Sequence, residues 1–176
     1  MSGVGALTRG RDAFAREAWL DACDLLAQAD RETPLDPDDL ERLAAAAFLV
    51  GEDTACIDAL TRAHHGFLER GDAIAAARNA VRLAFTMFER PAVQAQAAGW
   101  IARARRLFDE CATDCAEHGF LLCAEAFLKV RANDAIGAGA LFAQAADVGA
   151  RFKDRDVPAW IVFPLVDVGF NVELVQ

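Results

Sequence analysis

Tyrosine is absent from these 176 residues, Ser2 is the only serine, and lysine occurs only at Lys129 and Lys153. With one serine, and with His64, His65 and His118 as the only histidines, there is little material for a Ser–His or carboxylate–His catalytic arrangement. A glycine-rich phosphate loop and an H-E-x-x-H run are also missing. No enzymatic activity and no cofactor are therefore expected. The net charge of −9, from 27 acidic against 18 basic residues, rules out a general attraction to phosphate backbones or anionic lipid. Arg103, Arg105 and Arg106 come closest to a basic patch, but Asp109 and Glu110 offset them, so a solvated helix face is expected there. Met1 to Arg9 lacks a basic region followed by a long apolar stretch, and five cysteines, an odd number, suit reduced thiols better than a disulfide framework. These features predict a cytoplasmic protein that contacts neither nucleic acid nor membrane directly.

What is abundant is alanine. Apolar residues make up 55 % of the chain and much of that share is Ala, the strongest helix former, while proline is held to 5 residues. That balance predicts an all-α protein, and the length suits one domain.

A short pattern recurs within the alanine-rich background: a small residue, a large apolar residue four positions on, and Ala three positions after that. The copies are Ala22–Leu26–Ala29, Cys56–Leu60–Ala63, Ala97–Ile101–Ala104 and Ala138–Phe142–Ala145, so successive copies start 34, 41 and 41 residues apart. Such a period marks a stacked array rather than a single globular core. Each repeat reads as two antiparallel helices with the pattern on the second. Twelve positions upstream, on the first helix, Gly10, Ala44 and Ala126 offer the small side chain that a close helix approach requires. The third copy breaks this rule, with Phe85 at that spacing and Ala84 one position earlier, as if the connection from Pro91 to Gln96 held an extra residue.

Turn chemistry agrees. Five positions before the small residue stand Gly51 in the second copy and Asn133 in the fourth, both tolerant of the left-handed conformation that ends a helix, while Pro91 stops the helix in the third. Helices are expected from Val4 to Arg16, Trp19 to Arg31, Pro37 to Val50, Asp53 to Arg70, Asp72 to Glu89, Val93 to Glu110, Asp114 to Arg131 and Asp134 to Phe152. Asp114 and Glu117 would form a capping box. The array then occupies residues 1–154. Residues 155–176 form an irregular apolar tail or an incomplete fifth repeat, too short in its apolar run, Trp160 to Val166, for the ~18–20 residues that span a bilayer. Trp160, Phe163 and Phe170 would either fold back as a cap or join two copies as a homodimer.

The pairs resemble tetratricopeptide repeats, which Gly10, Ala22, Leu26, Ala29 and Pro34 fit closely. The resemblance is closer to the tetratricopeptide-like region of LuxR-type transcriptional regulators from high-GC actinobacteria. The segments that carry it are Gly10 to Phe14 with Ala18-Trp19, Pro34 to Ala44, Leu68 to Asp72, Gly99 to Leu107, and Ala145-Ala146 leading to Gly149 to Phe152. It implies a right-handed solenoid of about four antiparallel helical hairpins, without the family's DNA-binding helix-turn-helix, since no recognition-helix pattern with basic flanks follows. The tail after Asp154 departs from the family's continuing helices.

Function follows as a set of expectations. The first is a non-catalytic module that binds a protein or peptide. In tetratricopeptide folds the first helix of each pair lines the binding face, which makes Arg11, Glu41, Arg82 and Lys129 the contact candidates. The second is a sensor of a small molecule or metal. Cys111, Cys115 and His118, spaced i, i+4, i+7, would share one face of a continuous helix and offer soft ligands, but a hairpin boundary at Ala112-Thr113-Asp114 would separate Cys111 from the other two. The third is a truncated remnant with no independent role. His64 and His65, about 100° apart on a helix, cannot chelate together, so one packs and the other faces water. Trp19, Trp100 and Phe142 read as core.

Overall fold

The computed structural model describes residues 3–88, 94–111, 113–154 and 157. The described residues form eight helices and no strand: α1 (Gly3–Ala15), α2 (Trp19–Glu32), α3 (Pro37–Leu49), α4 (Asp53–Glu69), α5 (Ala73–Phe88), α6 (Gln94–Cys111), α7 (Glu117–Arg131) and α8 (Ala135–Phe152). Each helix packs on the next in sequence, and the most extensive contacts lie within α1–α2, α3–α4, α5–α6 and α7–α8. Extensive contact between helices joined by only a few residues makes these pairs antiparallel. Beyond nearest neighbours, α1 reaches α3 and α5 reaches α7.

The helix ends follow from local chemistry. Asp36, Asp72 and Asp134 each accept a hydrogen bond from a backbone N–H three residues on, at 2.9, 3.0 and 2.9 Å, and so start α3, α5 and α8. Pro37 sits in the first turn of α3, where its missing N–H costs nothing. Five of the exits, those of α1, α3, α4, α7 and α8, share one geometry. Glu17, Gly51, Gly71, Asn133 and Lys153 all take positive φ. The N–H of each returns to the carbonyl three residues back, and the next N–H returns to the carbonyl five residues back, as in Asn133 to Val130 (2.9 Å) and Asp134 to Lys129 (2.9 Å). Gly51 and Asn133 were the expected turn residues. Glu17 stands at the same position, five before Ala22, and carries the strained conformation with a full side chain. Pro91, assigned the same role, lies outside the described residues.

One expected start is corrected. Asp114 does not cap α7, which begins at Glu117, and the expected capping box is not formed. The Asp114 carboxylate instead accepts a hydrogen bond from Arg151 of α8 at 2.8 Å, which draws it away from the helix terminus.

All twelve residues of the four pattern copies are buried. Gly10 shows why size matters upstream: a Cβ there would lie 2.9 Å from Leu26 Cγ and 3.2 Å from its backbone nitrogen. Ala44, Ala84 and Ala126 are buried at the matching sites, so in the third copy Ala84 rather than Phe85 takes the close-packing position. Most of the core is continuous from α1 to α7. A second cluster joins α7, α8 and Val157, whose N–H donates to Asp154 Oδ1 at 3.3 Å and whose side chain packs over Gly119. Trp160, Phe163 and Phe170 lie outside the described residues. Trp19 and Trp100 are half-buried and Phe142 is buried, with Trp19 set edge-on against Phe14.

Candidate interaction face on the first helices

Ion pairs run along the first helix of every hairpin. Arg11 of α1 donates to both carboxylate oxygens of Asp39 on α3, with Nε 2.8 Å from Oδ1, and Arg42 donates to the same Oδ1 at 2.7 Å. Asp39 lies in the first turn of α3, where the helix dipole favours a negative charge. Burial pushes its pKa up, but the hydrogen bonds and charges of Arg11 and Arg42 outweigh that and hold it below the usual carboxylate value.

Two residues along α3, Glu41 turns to α5. Its Oε1 accepts from Asn79 Nδ2 at 2.8 Å and from Arg78 Nε at 3.1 Å, and its Oε2 accepts from Arg78 Nη2 at 3.0 Å. Arg82 Nη1 approaches Oε1 at 3.7 Å, while Arg78 Nη1 reaches across to Glu117 of α7 at 3.6 Å. Arg82's pKa is pushed down by burial, a shift that Glu41 opposes and neighbouring Arg78 reinforces. Asn79 is fully buried. Its amide nitrogen serves Glu41 and the Ala75 carbonyl, which leaves Oδ1 without a partner.

Of the expected contact residues, the fold therefore brings Glu41 and Arg82 together and ties Arg11 to Asp39. Lys129 stands apart from this network and pairs with Asp134 at the end of α7, at 3.1 Å. Sequence reasoning missed Arg78, Asn79 and Asp39. The available signal was the i, i+4 spacing of Arg78 and Arg82 on a helix opposite Glu41.

The soft-ligand candidates do not converge. Cys111 ends α6, Cys115 precedes α7, and the His118 ring packs on Phe108 with centroids 4.7 Å apart. Among the described residues no group of three His, Cys, Asp or Glu side chains is placed to hold a metal ion. Burial raises the pKa of the thiols of Cys23, Cys56, Cys115 and Cys123, the last to about 12, which disfavours the thiolate.

His64 is the packed member of its pair and His65 the exposed one. His64 Nδ1 meets the Ala76 carbonyl at 2.8 Å, Nε2 has no partner, and the ring stands edge-on to Trp100 at 5.2 Å. Arg105 is not merely solvated as expected; it donates to both oxygens of Glu125 on α7. Arg106 conforms, pairing only with Glu110 on its own helix.

No family model, curated protein or solved structure matches this chain. Function has to be read from the residues themselves. Among the described residues, no helix is long and apolar enough to cross a membrane.

Proposed function

We propose that the chain is a non-catalytic interaction module, a right-handed solenoid of four tetratricopeptide-like hairpins that binds a protein or peptide along the face of α1, α3, α5 and α7. It would serve as a regulatory region of the kind LuxR-type transcription factors carry. The observation that supports this reading is the shared role of the four pattern copies: each second helix buries the same three positions, while α1, α3 and α5 leave arginine side chains partly exposed. Repeats that bury only one side against their neighbours keep an extended surface open for a partner.

Panning the purified chain against a phage-displayed library of random dodecapeptides tests the reading. Backbone hydrogen exchange with and without a synthetic copy of an enriched peptide then locates the site. Protection concentrated in α1, α3, α5 and α7 is the expected result. A library that yields no binder, or protection confined to α2, α4, α6 and α8, would contradict it.

A further inference from the structure

We infer that the part of this face between α3 and α5, around Arg78 and Arg82, receives the side-chain carboxylate of an acidic peptide segment. This rests on the peptide-binding reading above and adds the chemistry of the partner.

Hydrogen-bond donors outnumber acceptors here. A guanidinium carries five N–H donors and no acceptor, so Arg78 and Arg82 together present ten, to which Asn79 adds its amide. Glu41 is the carboxylate between them, and both its oxygens are already occupied by Arg78 and Asn79. What remains for Arg82 is an approach of 3.7 Å to an oxygen that already accepts twice, and for the far side of Arg78 an approach of 3.6 Å to Glu117. Both distances lie beyond a hydrogen bond. Both oxygens of Glu41 are taken, Glu117 stays beyond hydrogen-bond reach of Arg78, and the unpartnered Asn79 Oδ1 is buried, so donors of both guanidinium groups remain free for an incoming acceptor.

Exposure orders the charges in the same sense. The Arg78 and Arg82 side chains are each 37 % exposed and Glu41 is 17 % exposed, so the two arginines are more open to an incoming group than the carboxylate between them. Next to Glu41 on α3, Arg42 repeats the arrangement over the almost wholly buried Asp39. Arg78 and Arg82 are four residues apart on one helix, where like charges repel, and a bound anion would relieve that repulsion. The α1 end of the face is a poorer site, because Asp36 lies 3.9 Å from Arg11 and is itself 44 % exposed.

The missing component is an anionic group with two acceptor oxygens in a plane, the shape that matches a guanidinium fork. Asp and Glu side chains supply it. The net charge of −9 opposes nonspecific attraction of an acidic peptide, so binding would have to come from local contacts.

The dodecapeptide selection also decides this point. Enriched sequences should carry an excess of Asp and Glu, and a fluorescein-labelled synthetic copy should bind less tightly as salt is raised. Arg82→Gln should weaken it roughly tenfold, the scale of one charge-assisted hydrogen bond. Arg82→Lys, which keeps the charge but not the fork, should fall between. Arg106→Gln, remote on α6 and 67 % exposed, should leave the affinity unchanged. Circular dichroism establishes that each variant is folded, and Arg78→Gln replaces Arg82→Gln if the latter is not. Binders with no excess of acidic residues, or acidic binders indifferent to both arginine substitutions, would overturn the inference and leave the interaction module standing. A library with no binders would remove both.

Discussion

Asp39 and Arg11 are 28 residues apart in the chain, yet the guanidinium grips both oxygens of a carboxylate that is only 1 % exposed. The pair ties the first hairpin to the second at the start of α3, with Arg42 closing it from the following turn.

Asp39→Asn should destabilise the fold by about 2 kcal/mol. Losing one partner of a buried pair costs roughly 3–5 kcal/mol, and the half-exposed arginines lower that figure through solvent screening. Because the folded pKa lies below the unfolded value, Asp39 stabilises fully above about pH 4, and that contribution disappears as pH falls through the lowered pKa. Urea midpoints measured between pH 5 and pH 2.5 should fall less steeply for Asp39→Asn than for the parent chain.

His64 acts in a different pH window. Burial lowers its pKa, against the pull of its bond to Ala76, and the charges of Arg103 and His65 lower it further. The neutral ring therefore stabilises fully above the unfolded value of about 6.5, and stability declines as pH drops below it. Thermal unfolding at pH 8 and at pH 5.5 should show a fall in Tm. His64→Gln, which keeps a donor for the Ala76 carbonyl but does not titrate, should remove most of that dependence even if it lowers Tm at both values.

Two glycine-to-alanine substitutions should have opposite signs. Alanine in a helix interior normally stabilises over glycine by roughly 0.5–1 kcal/mol, and Gly99, where an added methyl would meet nothing within 4 Å, should follow that rule. Gly10→Ala should instead cost about 1–3 kcal/mol, because its methyl would meet Leu26 at 2.9 Å. Chemical denaturation of the two variants checks both signs.

Glu17 carries a conformational cost at the turn between α1 and α2, with φ of 60° on an exposed residue. Glu17→Gly should stabilise by about 0.5–1 kcal/mol, since glycine reaches that region without steric penalty but gains freedom in the unfolded chain. Gly51→Ala, at the matching turn of the second hairpin, should lose a similar amount. The same urea titrations read both.

Helix number and approximate limits were legible in the sequence because they depend on local chemistry. Alanine content, the spacing of Ala22, Leu26 and Ala29 and its three copies, and turn residues such as Gly51 and Asn133 act over a few positions, and each carries its preference wherever the chain goes. The same local logic failed at Asp114, whose pull toward Arg151 of α8 overrides its capping preference. The candidate face was legible only in outline: first-helix position singled out Arg11, Glu41 and Arg82, but nothing near Glu41 in sequence points to Arg78 and Asn79, 37 and 38 residues on. Which carboxylate each arginine receives and which oxygens are spent are decided only when the helices are brought together in space. Coulomb and hydrogen-bond partners depend on distance in space, and distance between helices is set by packing rather than by any single stretch of chain.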